Sequence, residues 1–149
     1  MDFITKLFDM DLSALVPEMP VFLTGAYILM VLAVLAGPVA LTTLGALYLF
    51  RPVPEANYRF GFRTYFGMGS VDAWRFSQRI AGLIFGALGA LLLIIMLIVV
   101  FCFIGKDLLQ IARTAVICLL WQVGLTLIAR ISICVMAGVY FDKNGNRRR

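Results

Sequence analysis

Two long uncharged stretches constrain the fold of this 149-residue chain more than any other feature of the sequence. They cover residues 21–50 and 80–104, and each exceeds the ~20 apolar residues with which a helix crosses a hydrocarbon core of about 30 Å. A third apolar stretch, over 108–141, contains only two charged residues, both arginines. With 62% hydrophobic and 14% charged residues, the composition is far from that of a water-soluble domain. The sequence therefore predicts an all-α integral membrane protein with three transmembrane helices.

The distribution of charge predicts the orientation of these helices. Segment 51–79 carries five arginines against two acids, and the C-terminal tail carries four basic residues against one acid. The segment before the first helix has four acids and one lysine. Because basic segments remain in the cytoplasm, we expect segment 51–79 and the C-terminus inside the cell and the N-terminus outside. The net charge of +5 is then a topology signal, which predicts contact with membrane lipid and no nucleic-acid partner.

The first 19 residues have a different pattern from the rest of the chain. Apolar residues recur at helical spacing from Phe3 to Leu15, with charged residues on the other faces. We expect an amphipathic helix in the membrane interface over 1–19, followed by one helical membrane domain over 20–149. An anchoring helix or a flexible leader explains this segment more simply than a partner-binding arm does.

Proline and glycine positions predict how the helices bend and pack. The Gly-Pro pair at 37–38 predicts a kink or a break in the first helix. Gly82, Gly86 and Ala90 place small residues on one face of the second helix, where a neighbouring backbone can approach closely. The short polar connection at 105–107 predicts a tight hairpin of the second and third helices.

The third helix carries polar residues at regular intervals inside its apolar stretch. Gln122, Thr126 and Arg130 repeat every four residues and predict one polar stripe that faces the helix bundle. An arginine at this depth costs at least ~2.5 kcal/mol unless it finds acceptors. We therefore expect Arg130 to be buried and paired with Glu55, Asp72 or backbone carbonyl groups of the segment between the first two helices.

That segment, 51–79, combines aromatic, basic and glycine residues in an ordered pattern. The positions that we single out as candidate partner-binding residues are Asn57, Gly61, Arg63, Thr64, Trp74 and Arg79. The pattern resembles the bacterial SdpI family of membrane immunity proteins, whose signature is Asn-x-x-x-Gly, an aromatic or aliphatic residue, then Arg-Thr. A Trp follows about ten residues later, and an Asn-Arg or His-Arg pair precedes a transmembrane helix. Here that pair is Gln78-Arg79, and the resemblance covers residues 57–95.

The resemblance implies a function that the composition does not. Proteins of this family protect a producing cell against a secreted membrane-active peptide or protein toxin. Some members also hold a transcriptional repressor at the membrane when the toxin is present. By resemblance, we expect an immunity protein of the bacterial cytoplasmic membrane, with a secreted toxin as its candidate partner and a repressor as a weaker one.

The chemistry of the motif residues allows either a structural cap over the helices or a ligand site. Arg63 can contact a carboxylate or a phosphate through two parallel hydrogen bonds, and Thr64 can bond a local backbone group. Gly61 permits a positive φ, and Ser70 can cap the second helix at its N-terminus. We expect Trp74 at the headgroup level, with its ring in the apolar edge and its N–H towards water.

Other classes of function are less well supported by the sequence. Histidine is absent and no carboxylate pair lies in the membrane, so we expect no catalysis, no metal site and no cofactor. The glycine face and the polar stripe also suit a structural or accessory subunit of a larger membrane complex, or a homo-oligomer. A transporter or channel would need a water-filled path, which three helices without an embedded acid provide only by oligomerisation.

Overall fold

The computed structural model describes residues 19–51 and 61–148, and of residues 19–22 it describes the backbone only. These ranges contain three long helices: α1 (Met19–Phe50), α2 (Val71–Phe101) and α3 (Leu108–Tyr140). Each helix is long and apolar enough to cross a membrane, so the predicted all-α architecture with three such helices is confirmed. Residues 1–18, which hold almost all of the expected interfacial helix, lie outside the described residues.

Helix α2 begins at Val71, directly after the predicted N-cap and nine residues before the apolar stretch that begins at 80. Its N-cap is Ser70, whose hydroxyl accepts the Ala73 N–H at 3.1 Å. Asp72 lies in the first turn, where a negative charge stabilises the positive end of the helix dipole. The predicted N-cap is therefore confirmed, and the helix begins in the polar segment and continues into the apolar stretch.

Helices α1 and α2 approach each other closely through glycine. A Cβ atom added to Gly45 of α1 would overlap the backbone nitrogen of Gly86 in α2. Ideal Cβ positions on Gly89 and Gly82 lie 2.5 Å from the Thr42 nitrogen and 2.8 Å from the Leu49 side chain of α1. The predicted small-residue face is thus confirmed at Gly82 and Gly86. Ala90 is exposed and Gly89 takes its place, because steps of four and then three residues follow the helical period of 3.6 better than two steps of four.

Helix α1 continues through Pro38 without interruption. Proline has no N–H, so the Val34 carbonyl loses its usual donor four residues along the helix. The Gln122 side chain of α3 replaces that donor, with its Nε2 atom 2.9 Å from the Val34 oxygen. Gly37 leaves the necessary space, since a Cβ atom there would overlap Gln122 Oε1. One polar contact therefore joins α1 and α3 inside the bundle.

The core cluster between the helices is apolar, and so is most of the outer surface of the helices. The buried core cluster includes Val34, Leu41, Tyr48, Phe85, Leu92, Met96 and Ile133. Many large apolar side chains face outward, among them Leu91, Ile98, Leu120 and Trp121. An apolar outer surface of this kind is typical of helices in contact with lipid. Residues 102–107 connect α2 to α3.

Candidate functional site at the capped end of the bundle

Three parts of the chain fold together at one end of the bundle: residues 61–70, the first two turns of α2 and the tail 141–148. We call this assembly the cap. The Ser70 hydroxyl donates a hydrogen bond of 2.7 Å to the Gly145 carbonyl. A Cβ atom on Gly69 would lie 2.7 Å from the Gly145 nitrogen, so the two backbones are in direct contact. The basic segment and the C-terminal tail, which charge counting predicted on the same side of the membrane, therefore lie at the same end of the molecule.

A reciprocal pair of hydrogen bonds fixes the cap to α2. The Phe62 N–H donates to Gln78 Oε1 at 2.9 Å, and Gln78 Nε2 donates to the Phe62 carbonyl at 2.8 Å. Gln78 is only 1% exposed. The Phe62 ring packs edge-on against Phe85, with 5.4 Å between ring centroids. The Gln78 carboxamide thus forms hydrogen bonds with both the N–H and the carbonyl of Phe62, as a neighbouring β-strand would.

Thr64 organises the turn that follows. Its hydroxyl accepts the Gly67 N–H at 2.8 Å and lies 3.4 Å from the Ser77 hydroxyl. Thr64 and Ser77 are both buried. A Cβ atom on Gly67 would lie 2.5 Å from Ser77 Oγ, so the turn packs tightly on α2. The expected local backbone bond of Thr64 is confirmed.

Trp74 forms the centre of the cap. It is completely buried, and Gly61 lies against its ring, with φ 121° and an ideal Cβ position 2.6 Å from Trp74 Cη2. Position 61 therefore requires glycine for its conformation and for its space. The predicted exposure of the Trp74 N–H to water is wrong, because the whole side chain is buried.

The arginines of the motif lie on the outside of the cap. Arg63 and Arg79 are exposed, as is Arg75 between them. Asn57 lies outside the described residues. The structure therefore divides the predicted site: Gly61, Thr64 and Trp74 build the interior, whereas the arginines form its basic surface. Exposed Lys143, Arg147 and Arg148 of the tail add to that surface.

The tail 141–148 is a short hairpin held by Asp142. Backbone N–H groups of Asn146 and Asn144 donate to Asp142 Oδ1 at 2.7 and 2.9 Å. The Asn146 bond is the main reason that the Asp142 pKa lies below its ordinary value. Phe76 of α2 packs against Tyr140 and Phe141, with centroids 5.2 and 5.4 Å apart. These contacts attach the hairpin to the start of α2, beside an open polar pocket of about 420 Å³.

The predicted polar stripe of α3 does not face one direction. Gln122 is buried against α1, and the Thr126 hydroxyl donates at 2.7 Å to the Gln122 carbonyl. Arg130 is exposed, and Ala129 takes the inward position beside it. The prediction of a buried Arg130 is therefore wrong. Each four-residue step advances ~40° beyond a full turn, so Arg130 lies about 80° around the helix from Gln122.

Sequence reasoning also missed residues on which the cap depends. Gln78 and Ser77 complete its interior, yet neither was singled out as a site residue. The signal for Gln78 was its position immediately before Arg79, where the related signature has Asn or His. Among residues 19–51 and 61–148, no three or more His, Cys, Asp or Glu side chains come together as metal ligands would.

This fold and site define a class: a multi-pass helical membrane protein whose basic inter-helix segment folds into an ordered cap. The chain matches the model of the SdpI/YfhL protein family over residues 55–140. Because this match covers more than half of the 149 residues, the chain belongs to that family, as the resemblance of its motif predicted. The match includes most of the cap together with α2 and α3. No curated protein and no solved structure matches the chain significantly.

Proposed function

We propose that this SdpI-family protein is an immunity protein of the bacterial cytoplasmic membrane. It protects the cell against a secreted, membrane-active toxin by binding and not by catalysis. One observation carries the proposal: residues of the family signature build a cap whose buried polar groups are hydrogen-bonded and whose surface bears arginines.

The interior of the cap supports a binding role. Thr64, Ser77 and Gln78 are buried and bonded to neighbouring groups. Within the described part of the chain, every buried side-chain nitrogen or oxygen atom has a hydrogen-bond partner. Such an interior rigidifies the fold and offers no unpaired donor that could stabilise a developing charge. The groups that a partner can reach are therefore exposed side chains of the cap, among them Arg63 and Arg79.

The charge distribution supports a cytoplasmic cap. In that orientation a toxin from outside the cell meets the protein within the bilayer or at the opposite end, near residues 102–107. The cap then holds the helices in the arrangement that blocks the toxin, and its arginines contact inner-leaflet phosphates or a cytoplasmic partner such as a repressor.

Two sequence features that favoured an accessory subunit of a larger membrane complex are explained by contacts within the chain. Gly82 and Gly86 already pack against α1, and Gln122 already bonds the Val34 carbonyl. Neither feature requires a helix from another protein. Deletion of the gene separates the two functions: sensitivity to a toxin with all membrane complexes intact favours immunity, whereas loss of a complex favours an accessory subunit.

The proposal is tested by expressing the protein in a sensitive strain and challenging that strain with any secreted toxin found to be encoded beside the gene. The parent protein should allow survival. Arg63→Ala should reduce survival at matched membrane abundance, whereas Arg75→Ala, which removes an exposed cap arginine outside the signature, should not. No protection by the parent contradicts the proposal.

Arg63→Lys makes this test more specific. Lysine keeps the charge but lacks the planar fork of the guanidinium group. Loss of protection by Arg63→Lys therefore indicates paired hydrogen bonds to a carboxylate or phosphate, and retention indicates simple charge anchoring. Full protection by Arg63→Ala would remove this side chain from the mechanism.

A further inference from the structure

Arg130 lies in a groove on the outer face of α3. The groove has a volume of about 560 Å³, within the ~300–1,000 Å³ usual for ligand pockets. Its other lining residues are Phe66, Leu127, Ile131, Cys134, Val135 and Gly138. Phe66 comes from the cap and packs on Gly138, whose ideal Cβ position lies 2.9 Å from the Phe66 ring. The groove therefore runs from the cap into the apolar part of the helix and has one charged group.

The position of Arg130 is costly unless an anion reaches it. α3 has 33 residues and is about 50 Å long, and Arg130 lies roughly 15 Å before its last residue. A guanidinium group stays charged at any physiological pH. Asp72, Asp107 and Asp142 are the acids in the described ranges, and no hydrogen bond or ion pair joins any of them to Arg130.

The membrane helices of a second copy offer almost no acid that could pair with Arg130. The 32 residues of α1 and the 33 of α3 contain no acid, and the one acid of α2 is Asp72 in its first turn. Association of two copies through α1 or α3 would therefore bring no acid to Arg130. The anion therefore comes from outside the membrane helices. It belongs to a molecule that can enter the apolar part of the bilayer.

We propose that this groove binds one anionic phospholipid. Its phosphate contacts the Arg130 guanidinium through charge-assisted hydrogen bonds, and an acyl chain follows Leu127 and Ile131. Phe66 closes the groove at the cap and limits how far the headgroup extends. A net negative headgroup is favoured over a zwitterionic one because Arg130 brings a charge without a partner among the described residues. The bound lipid joins α3 to the cap through Phe66.

The test is native mass spectrometry of the full chain in detergent with equimolar phosphatidylglycerol and phosphatidylcholine of identical acyl chains. The parent protein should retain one phosphatidylglycerol in preference. Arg130→Gln should lower that retention about tenfold, equivalent to ~1.4 kcal/mol. Arg113→Gln removes the other arginine of α3, which is also exposed but does not line the groove, and should leave retention unchanged.

Two further variants examine the shape and the charge of the groove. Val135→Trp fills the groove from an exposed position and should displace the lipid without changing the net charge. If Glu55 is the counter-ion of Arg130, Glu55→Gln will raise phosphatidylglycerol retention, and that result overturns the proposal. Equal retention of both lipids, or equal loss in Arg130→Gln and Arg113→Gln, overturns it as well.

Free phosphate provides the last arm of the test. If the groove recognises a phosphate group alone, inorganic phosphate will displace the retained lipid and will raise the melting temperature of the parent but not of Arg130→Gln. That outcome overturns the lipid assignment. Displacement by added phosphatidylglycerol and not by inorganic phosphate supports it.

Discussion

The Gln122 carboxamide donates a hydrogen bond of 2.9 Å to the Val34 carbonyl, the acceptor that Pro38 leaves without its helical donor. A proline inside a membrane helix frees a carbonyl group that lipid cannot satisfy. Here a side chain from α3 satisfies it, and Gly37 provides the space. The proline, the glycine and the glutamine thus act as one unit across two helices.

A double-mutant cycle at Pro38 and Gln122 tests this unit. Gln122→Leu should lower the free energy of unfolding by about 0.6 kcal/mol and by no more than about 1.7 kcal/mol, the mean and the maximum measured for hydrogen bonds between membrane helices. In a Pro38→Ala background the same change should cost less, because the substituted alanine has a backbone N–H that can bond the Val34 carbonyl. Unfolding in mixed micelles measures both values, and equal costs in the two backgrounds would show that the bond does not depend on the proline.

Gln78 provides a second prediction. Gln78→Leu should destabilise the protein by about 1–3 kcal/mol for each backbone group of Phe62 left unpaired and buried. Arg79→Gln, at the exposed neighbouring position, should change stability by less than about 0.5 kcal/mol. Thermal unfolding in detergent measures both variants. Similar melting temperatures for Gln78→Leu and the parent would contradict the reciprocal hydrogen bonds.

Local sequence patterns predicted the features that depend on nearby residues. Hydropathy predicted the three helices, Ser70 was recognisable as an N-cap, and Gly82 and Gly86 were recognisable as a packing face. Each of these depends on chemistry within a few residues or on one helix period. The helices, the N-cap and the packing face could therefore be predicted from the sequence alone.

Features that depend on distant parts of the chain could not be predicted in the same way. The partner of Gln78 is a backbone group sixteen residues away, and no periodicity indicates it. Trp74 is completely buried, with Gly61 against its ring, whereas residue type alone favoured an N–H in contact with water. Arg130 faces outward because α3 is oriented by Gln122 and Ala129, so its direction depends on how the helix is rotated in the bundle.

The close contact between α1 and α2 leads to a third prediction, at two helical glycines. Gly45→Ala should destabilise the protein, because the added methyl group would overlap the Gly86 backbone and the helices would have to separate. Gly124→Ala is the matched control, since no atom lies within 4 Å of its ideal Cβ position. It should be neutral or stabilise by up to ~1 kcal/mol, the difference in helix propensity. Equal effects in mixed-micelle unfolding would contradict the α1–α2 packing.

The last prediction concerns orientation and begins from the 2.7 Å bond between the Ser70 hydroxyl and the Gly145 carbonyl. This bond requires the basic segment and the tail to lie on one side of the membrane, and their positive charge favours the cytoplasm. In a variant without the three native cysteines, Asn57→Cys and Asn146→Cys should resist an impermeant maleimide applied to intact cells, whereas Lys106→Cys should react. Reaction at only one of the first two positions would contradict the cap. Reaction at both positions, with Lys106→Cys protected, would be consistent with the cap but would contradict the predicted orientation in the membrane.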